Sequence, residues 1–514
     1  MNKVLVFALV LGLGAPAALA QDTPAPATAA TGGMLLLLEE AEQRALDRNP
    51  AIAAARLSRQ AAGFSLAESR AAYDPLFNAS LTQRSQTTPA STQLSGGQEQ
   101  VNTDASTYST GISQALPWGG GSLSLDFGGS RTASSNVFAT YNPSFSSSLT
   151  ASITQPLLRG LRFDGTRAQI AQAEISSDIA DLELQERIAT TLAGVRRAYW
   201  ELVYASDALE TARQSRALAE RQLQDNRLRV ELGTVAPIDI VESEAEVAAR
   251  HQAVVQAEGA FRTAQVALKQ LMVADAGDAI WQSTIVPTDR PTQGSAAIDV
   301  AAAIASAVAN RSDIAIARKE RESSGAHLKL LDDRRKPAVD LVAEYSVSGI
   351  GGTRILRQSG GLGSDVIGSV QGGYLDVLQS IGALDYPTWI VGVNVTVPFG
   401  NKASQAAYAQ AQVQQRQREV QVQALEVEVT AQVTRIAEQV RSAGEQVRAA
   451  GAARDLARKR LDAEEARRAA GLSTTFLVLQ AQRDLAAAQT AELRALLDFR
   501  TALVDFELVQ QVPV

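Results

Sequence analysis

The sequence predicts a mixed α and β fold in which one unit of architecture occurs twice. Ile52 and Pro75 have counterparts 262 positions later, at Ile314 and Pro337, in helical runs that begin and end alike. Two long proline-free stretches are rich in helix-forming residues, and the intervening stretches alternate apolar with small or polar residues. Because a repeated order of parts is the sequence signature of duplication, we predict two repeats, at residues 35–272 and 297–510.

The N-terminal residues predict export from the cytoplasm. Lys3 precedes an apolar stretch over residues 4–13, and an Ala-x-Ala site ends at Ala20. A positive start, a short apolar core and such a site are typical of a cleaved signal peptide. The apolar core is too short for a membrane span, which requires roughly 20 residues. We therefore interpret residues 1–20 as a signal peptide and residues 21–34 as a flexible lead-in.

Composition argues against several classes of function. The chain of 514 residues has no cysteine, two histidines and a formal net charge of −7. The lack of cysteine excludes disulfide and thiol chemistry, and the modest acidic balance argues against a nucleic-acid partner. His251 and His327 lie far apart in polar helical sequence, so we expect neither to bind a metal. No acid–base pair, nucleophile arrangement or phosphate-binding loop is evident, so we expect neither enzyme activity nor a cofactor.

The proline-free stretches predict two helical hairpins. The first long helix is expected over residues 166–232 and the second over residues 404–470. Since the α-helix rises 1.5 Å per residue, each would be roughly 100 Å long. Apolar residues recur in both at steps of three and four, which is the seam of a coiled coil. Gly233 or Gly471 follows each helix, as suits the left-handed residue at a helix end, and a returning helix comes next.

The segments at about 76–156 and 338–399 predict β-strands instead. They alternate apolar with small or polar residues in runs of about ten, separated by loops of Gly, Ser and Asn, as in a membrane β-barrel. A soluble β-sandwich with flexible loops has a similar pattern, and the residues alone leave both alternatives open. Aromatic residues near the predicted strand ends fit the interfacial girdles of a barrel. These are Trp118, Tyr141, Tyr345, Tyr386 and Trp389.

The whole mature chain resembles the TolC-like family of outer-membrane efflux proteins. The resemblance rests on residues that occur in the same order in both halves, since no single motif is specific. They are Leu46-Asp47-Arg48-Asn49-Pro50 with Arg56, the junctions Thr154-Gln155-Pro156-Leu157-Leu158 and Thr396-Val397-Pro398-Phe399-Gly400, and the tips Gly233-Thr234 and Gly471-Leu472-Ser473.

This resemblance implies a homotrimer in the bacterial outer membrane. Each protomer would give four strands to a shared, twelve-stranded transmembrane β-barrel, because four strands alone leave open edges that lipid does not tolerate. A long periplasmic α-helical coiled-coil barrel would continue it. Such an exit duct would contact outer-membrane lipid and dock a periplasmic adaptor protein and an inner-membrane transporter. The alternative function is a structural coiled-coil spacer of the envelope, or an adhesin-like stalk, without channel activity.

The two β segments differ in length. The first pair of prolines, at 75 and 156, is 81 positions apart, and the second pair, at 337 and 398, is 61 positions apart. We assign the surplus to an extra or extended extracellular hairpin around Trp118-Gly119-Gly120-Gly121, and residues 349–373 to the matching outer loop. Residues 273–296 are expected to form an equatorial connector between the repeats, and residues 511–514 a C-terminal tail.

The resemblance places adaptor docking at the hairpin tips, specifically at Gly233, Thr234, Pro237, Gly471 and Ser473. In the family, acidic residues after the second-repeat glycine can ring a closed aperture. Here the two corresponding positions hold Leu477 and Gln480, which puts a carboxylate ring from that repeat in doubt, whereas the first repeat carries Asp239 and Glu242.

We hypothesise a latch at the tips, in which Asp239 pairs with Arg468 or Arg467. An exposed ion pair contributes only about 0–1 kcal/mol, but three symmetric copies can bias a two-state opening. The alternative is that these are ordinary solvated charges at helix ends.

Overall fold

The computed structural model describes residues 33–90, 99–234, 236–290, 298–358 and 365–511. The predicted signal peptide, all but the end of the lead-in, part of the connector and nearly all of the C-terminal tail lie outside these residues.

Each repeat opens with a pair of short helices. In the first repeat these are α1 (Leu38–Arg48) and α2 (Pro50–Arg70). Asn49 caps α2, since its side-chain oxygen accepts hydrogen bonds from the backbone N–H groups of the next turn. The second repeat has α5 (Val300–Asn310) and α6 (Ser312–Arg334) at the same places, but Arg311 provides no side-chain cap.

Four longer helices form two antiparallel hairpins. The first hairpin consists of α3 (Gly165–Glu231) and α4 (Ile238–Met272). The second consists of α8 (Lys402–Ala469) and α9 (Thr475–Gln510). Many of the apolar residues at the predicted seam spacing are buried: Leu192, Val195, Tyr199, Leu202, Val422, Val429, Val433 and Val440.

A small sheet ties the start of the chain to the connector. Strand β1 (Met34–Leu36) pairs in parallel with β6 (Ile285–Pro287). The hydroxyl group of the buried Tyr199 in α3 donates towards two acceptors beside this sheet. They are the backbone oxygen of Leu36 at 2.9 Å and the carboxylate of Asp289 at 2.8 Å. The middle of α3 is therefore fixed to the start of the first repeat and to the connector.

The remaining strands form one antiparallel sheet beyond the ends of the helices. The strands are β2 (Leu76–Pro89), β3 (Gln100–Ala115), β4 (Ser122–Ser134), β5 (Tyr141–Pro156), β7 (Ala338–Arg357), β8 (Val366–Val370) and β9 (Pro387–Thr396). Their order is β2-β3-β4-β5-β7, after which β9 pairs along the first half of β7 and the short β8 pairs with the end of β7.

The sheet of one protomer contains more long strands than the four that were predicted for its share of a barrel. Six strands of this sheet have ten or more residues, four of them from the first repeat. The segment from 76 to 156 is long enough for two hairpins because its three connections are short relative to its strands of 13 to 16 residues. Sequence alternation shows where strands occur, but it counts them poorly when the turns are also polar.

The predicted extracellular hairpin at Trp118–Gly121 is also misplaced. These residues form the turn between β3 and β4, at the end of the sheet where α3 begins. Gln155 Nε2 donates to the backbone oxygen of Gly119 at 2.7 Å, and Arg167 Nη2 donates to that of Pro117 at 3.2 Å. Because β2 leaves the helices and β3 returns, their next connection must lie on the helical side.

The predicted outer loop at residues 349–373 is partly regular structure. Strand β7 continues to Arg357, because its second half pairs with the start of β5. Helix α7 (Tyr374–Gly382) follows β8 and packs Val377 and Ile381 against Val347.

The two faces of the sheet differ in polarity, as two rows of directly paired residues show. Each row crosses all six long strands from β2 to β9. The apolar row contains Phe77, Ile112, Leu125, Ala151, Tyr345 and Trp389. The polar row, on the opposite face, contains Asn78, Gly111, Asp126, Thr150, Ser346 and Thr388.

The apolar face is largely uncovered. In the apolar row, Phe77 is 67% exposed and Trp389 is 74% exposed. An exposed, contiguous apolar surface of this kind marks contact with lipid or with another protein. Among the described helices, none alone is long and apolar enough to cross a membrane. The bent pair α5–α6, taken as one unit, has a sufficient length and apolar composition.

Candidate functional site: the tips of the helical hairpins

Both hairpins turn at a glycine in the left-handed conformation. Gly233 has φ +66° and Gly471 has φ +73°. In each turn the glycine N–H and the next N–H donate back to the last helical turn, at 3.0 and 2.9 Å after α3 and at 3.0 and 2.8 Å after α8. Residues with a Cβ adopt this conformation at a cost, so glycine suits both tips.

The predicted docking hydroxyls form hydrogen bonds within their own hairpins. Thr234 Oγ1 donates to the backbone oxygen of Arg229 at 2.9 Å, and Ser473 Oγ donates to Glu464 at 2.7 Å. Pro237 lies directly before α4, whereas Thr474 caps α9 through its side chain. These residues stabilise the two turns, whereas the exposed surface around the turns is formed by neighbouring apolar side chains.

Large apolar side chains surround both turns and are exposed. Such a surface is unusual on a free protein and is suited to a partner. The exposed side chains are Leu232, Ile238, Val241, Leu472, Phe476 and Leu477.

The two arginines of the hypothesised latch have different partners. Arg467 forms an ion pair with Glu464 of its own helix at 3.0 Å. Arg468 reaches the other hairpin, where its Nη2 donates to Asn226 Oδ1 at 3.1 Å. Within the described residues, Asp239 forms no ion pair with either arginine, although its charge acts on Arg468 from nearby.

Burial changes the electrostatics of Arg468. Desolvation, followed by repulsion from Arg229, lowers the pKa of the Arg468 guanidinium, while Asp225, Asp239 and Glu465 act in the opposite direction. The guanidinium group of Arg468 thus lies at a partly buried contact between the hairpins.

The other predicted gate residues do not join this contact. Glu242 is exposed, and Gln480 donates to Asp484 of its own helix at 3.0 Å. Leu477 is exposed on the tip surface.

A buried polar cluster around Asn226 was missed from the sequence. Asn226 is 0% exposed and donates to Ser243 Oγ of α4 at 2.7 Å. It also accepts hydrogen bonds from Gln222 at 3.0 Å and from Arg468. A polar residue within a polar helix gives no sequence signal of burial, so only the packing of three helices reveals this cluster.

Sequence reasoning also missed the ion pair between Glu246 and Arg483. Glu246 of α4 is 4% exposed, and it accepts from Arg483 of α9 at 2.5 and 2.8 Å and from Arg250 at 2.7 Å. Burial raises the pKa of the Glu246 carboxyl, but hydrogen bonds from Arg483 and Arg250 outweigh it and hold the pKa below its usual value. This contact is a charged link between the hairpins close to their tips, in addition to the ion pairs of Arg196 with Glu507 and of Arg197 with Asp505 farther along α3 and α9.

A groove with a volume of about 780 Å³ lies beside this ion pair, between α3, α4 and α9. Small side chains line much of it, so the backbone of a neighbouring helix could approach closely. These are Ala208, Ala212, Ala249, Ala253, Ala486 and Ala487. Across the described ranges, no group of three or more His, Cys, Asp or Glu side chains is arranged to hold a metal ion.

The chain thus combines a sheet that has one apolar and one polar face with two long helical hairpins, an arrangement typical of channel proteins of the cell envelope. The sequence pattern of the outer membrane efflux protein family matches residues 120–273 and 303–508. The chain therefore belongs to the outer membrane efflux protein family, and its predicted location in the outer membrane is confirmed. The comparison with curated proteins found no significant match.

Solved structures share the TolC-like fold. A membrane protein from Pseudomonas aeruginosa matches with a TM-score of 0.65 at 18% identity, covering 92% of this chain and 90% of that one. The CmeC channel of Campylobacter jejuni gives 0.63 at 13% identity, with 92% and 85% covered. The open MtrE channel of Neisseria gonorrhoeae gives 0.62 at 16% identity, with 92% and 88% covered.

Proposed function

We propose that three copies of this chain form an exit duct through which an inner-membrane transporter and its periplasmic adaptor move substrates across the outer membrane. The observation that carries the proposal is the two-faced sheet joined directly to the long hairpins. The apolar face would meet lipid and the polar face would line an aqueous pore. The hairpins would continue that pore as a periplasmic tube.

The edges of the sheet support assembly from several copies of the chain. Strands β2 and β9 are its two long edge strands, each with one paired neighbour among the described strands. Unpaired backbone groups are not tolerated in the hydrocarbon region, so a spanning sheet must close on itself. Copies of the same chain provide the missing neighbours.

Adaptor docking at the tips is supported by their exposed surfaces. The apolar side chains around Gly233 and Gly471 give a partner an area to bury. The alanine-lined groove between α3, α4 and α9 would admit a helix from an adaptor at close range.

Closure of the duct would depend on contacts between the two hairpins. In this refinement of the latch, Arg468 binds Asn226, with Asp239 as a nearby charge, and Arg483 binds Glu246. Opening would separate these pairs, so their loss should favour the open state.

Reconstitution in planar bilayers tests the proposal. The purified chain should migrate as a heat-modifiable trimer and give single-channel conductance. A coiled-coil spacer or adhesin-like stalk would give neither. Absence of both trimer and conductance in correctly folded protein would refute the exit-duct function.

A further inference from the structure

The first hairpin of the sheet, β2–β3, belongs to the continuous sheet of six long strands (β2, β3, β4, β5, β7 and β9), which we call the wall. Each of the 14 residues of β2 has a paired residue in β3, and β3 is paired with β4 from Thr103 to Ala115. The apolar row and the polar row both extend to β2 without a change of face. Strand β2 thus has one apolar and one polar face, like the other long strands of the wall.

Side chains on the polar face reinforce this continuity. Ser80 and Ser109 join β2 to β3 at 2.8 Å, and Ser124 and Ser152 join β4 to β5 at the same distance. Thr150 and Ser346 then join β5 to β7 at 2.9 Å. The hydroxyl contacts that connect neighbouring strands therefore occur in both the first hairpin and the rest of the sheet.

The same hairpin lies outside the matched family pattern. The match begins at residue 120, within the turn that leads to β4, and it includes β4, β5, β7 and β9. Strands β2 and β3 are therefore the part of the wall that the family pattern does not account for.

We propose that β9 of one copy pairs with β2 of the next, so that three copies close a barrel of eighteen strands. This proposal rests on the trimeric duct proposed above. Five successive antiparallel pairings separate β2 from β9, so these two strands run in opposite directions. A β9–β2 seam is consequently antiparallel, like every other pair in the wall.

The edges match in chemistry as well as in direction. Strand β9 presents Val391, Val393 and Val395 on the face of Trp389, and β2 presents Ala79 and Leu81 on the face of Phe77. A seam that keeps faces together leaves the outside apolar and the lumen polar all the way around. At equal strand tilt, the barrel would be about 1.5 times as wide as one of twelve strands, because diameter grows with strand number.

Disulfide trapping tests the seam in the full-length protein, which contains no native cysteine. Asn394→Cys on the polar face of β9 is combined in turn with Asn78→Cys, Ser80→Cys and Thr82→Cys on the polar face of β2. Three positions cover the seam registers near the helical end of both strands. A disulfide forms only where Cα atoms come within about 4.4–6.8 Å, so at least one combination should yield covalent dimers and trimers after oxidation.

The control combines Asn394→Cys with Ser124→Cys or with Asp126→Cys in β4. Those strands would meet only if β2–β3 lay off the wall and the barrel had twelve strands. We expect no cross-linking from the control, and eighteen strands in a density map of the trimer in nanodiscs. Heat-modifiable migration of each variant before oxidation verifies its fold.

Cross-linking of β9 to β4, or trimers in which none of the three β2 positions reacts, would overturn the seam while leaving the duct intact. A folded but monomeric chain without conductance would overturn the duct itself, and the seam with it.

Discussion

Arg467 and Arg468 are adjacent in sequence, yet they belong to different interactions. Arg467 forms an ion pair with Glu464 of its own helix, whereas Arg468 crosses to Asn226 of the other hairpin. We predict that Arg468→Ala raises the open probability of the reconstituted channel, because it removes one contact that holds the hairpins together. Single-channel recording at neutral pH measures the effect.

The matched control is Arg467→Ala, which removes the same charge one residue away. It should leave the open probability close to that of the wild type, since an intrahelical surface pair contributes only about 0–1 kcal/mol. Equal effects of both substitutions would point to net charge at the tip and would refute a specific role of Arg468.

Asp239 gives a separate test of the latch at the same contact. If its charge supports Arg468, Asp239→Asn should increase opening, but less than Arg468→Ala does, because no direct ion pair is lost. An effect of Asp239→Asn equal to or larger than that of Arg468→Ala would show that a direct pair forms in the trimer.

At the scale of single elements, the packing of α7 against strand β7 requires a glycine at position 349. A Cβ built on Gly349 would lie 2.7 Å from the backbone oxygen of Val377 and 3.1 Å from its side chain. We predict that Gly349→Ala displaces α7 and destabilises the outer part of the sheet by about 1–3 kcal/mol. The temperature at which the protein loses its folded migration on gels should fall.

Gly392→Ala is the control, because Gly392 also lies in a strand but has open space around its Cβ position. This substitution should leave the transition temperature within a narrow range of the wild type. If Gly349→Ala behaves in the same way, α7 is not packed on β7 as described.

At the scale of the whole molecule, the sequence revealed the helical half better than the sheet. Proline is excluded from helix interiors, so the gap from Pro156 to Pro237 marks α3 and its tip almost directly. Strands carry no comparable marker. The turn at Trp118–Gly121 looks like any glycine-rich loop, and its side of the sheet depends on how many strands precede it.

The contacts at the tips escaped prediction for a different reason. Asn226 and Glu246 are polar residues, which the pattern of a single helix assigns to its solvated side, and each is buried because a second hairpin packs there. Such burial depends on contacts between helices that are far apart in the sequence. The residue pattern of one helix does not show which of its polar residues will be buried.

The ion pair between Glu246 and Arg483 predicts how the whole duct responds to acid. The pKa of Glu246 lies below its ordinary value of 4.5, because hydrogen bonds from Arg483 and Arg250 outweigh the effect of burial. The stabilisation is therefore complete above pH 4.5 and is lost as the pH falls through the lowered pKa. Since the pair joins the hairpins, we predict increased opening as the pH falls below 4.5.

Glu246→Gln should increase opening at neutral pH and flatten the acid response, because the titrating group at the contact is gone. The control is Glu258→Gln, also in α4, whose carboxylate pairs at 2.9 Å with Arg213 of the same hairpin. That variant should keep the acid response of the wild type, because its ion pair does not join the two hairpins. Bilayer recordings across the pH range below 4.5 compare the three proteins, and an unchanged acid response in Glu246→Gln would place the acid-sensitive contact elsewhere.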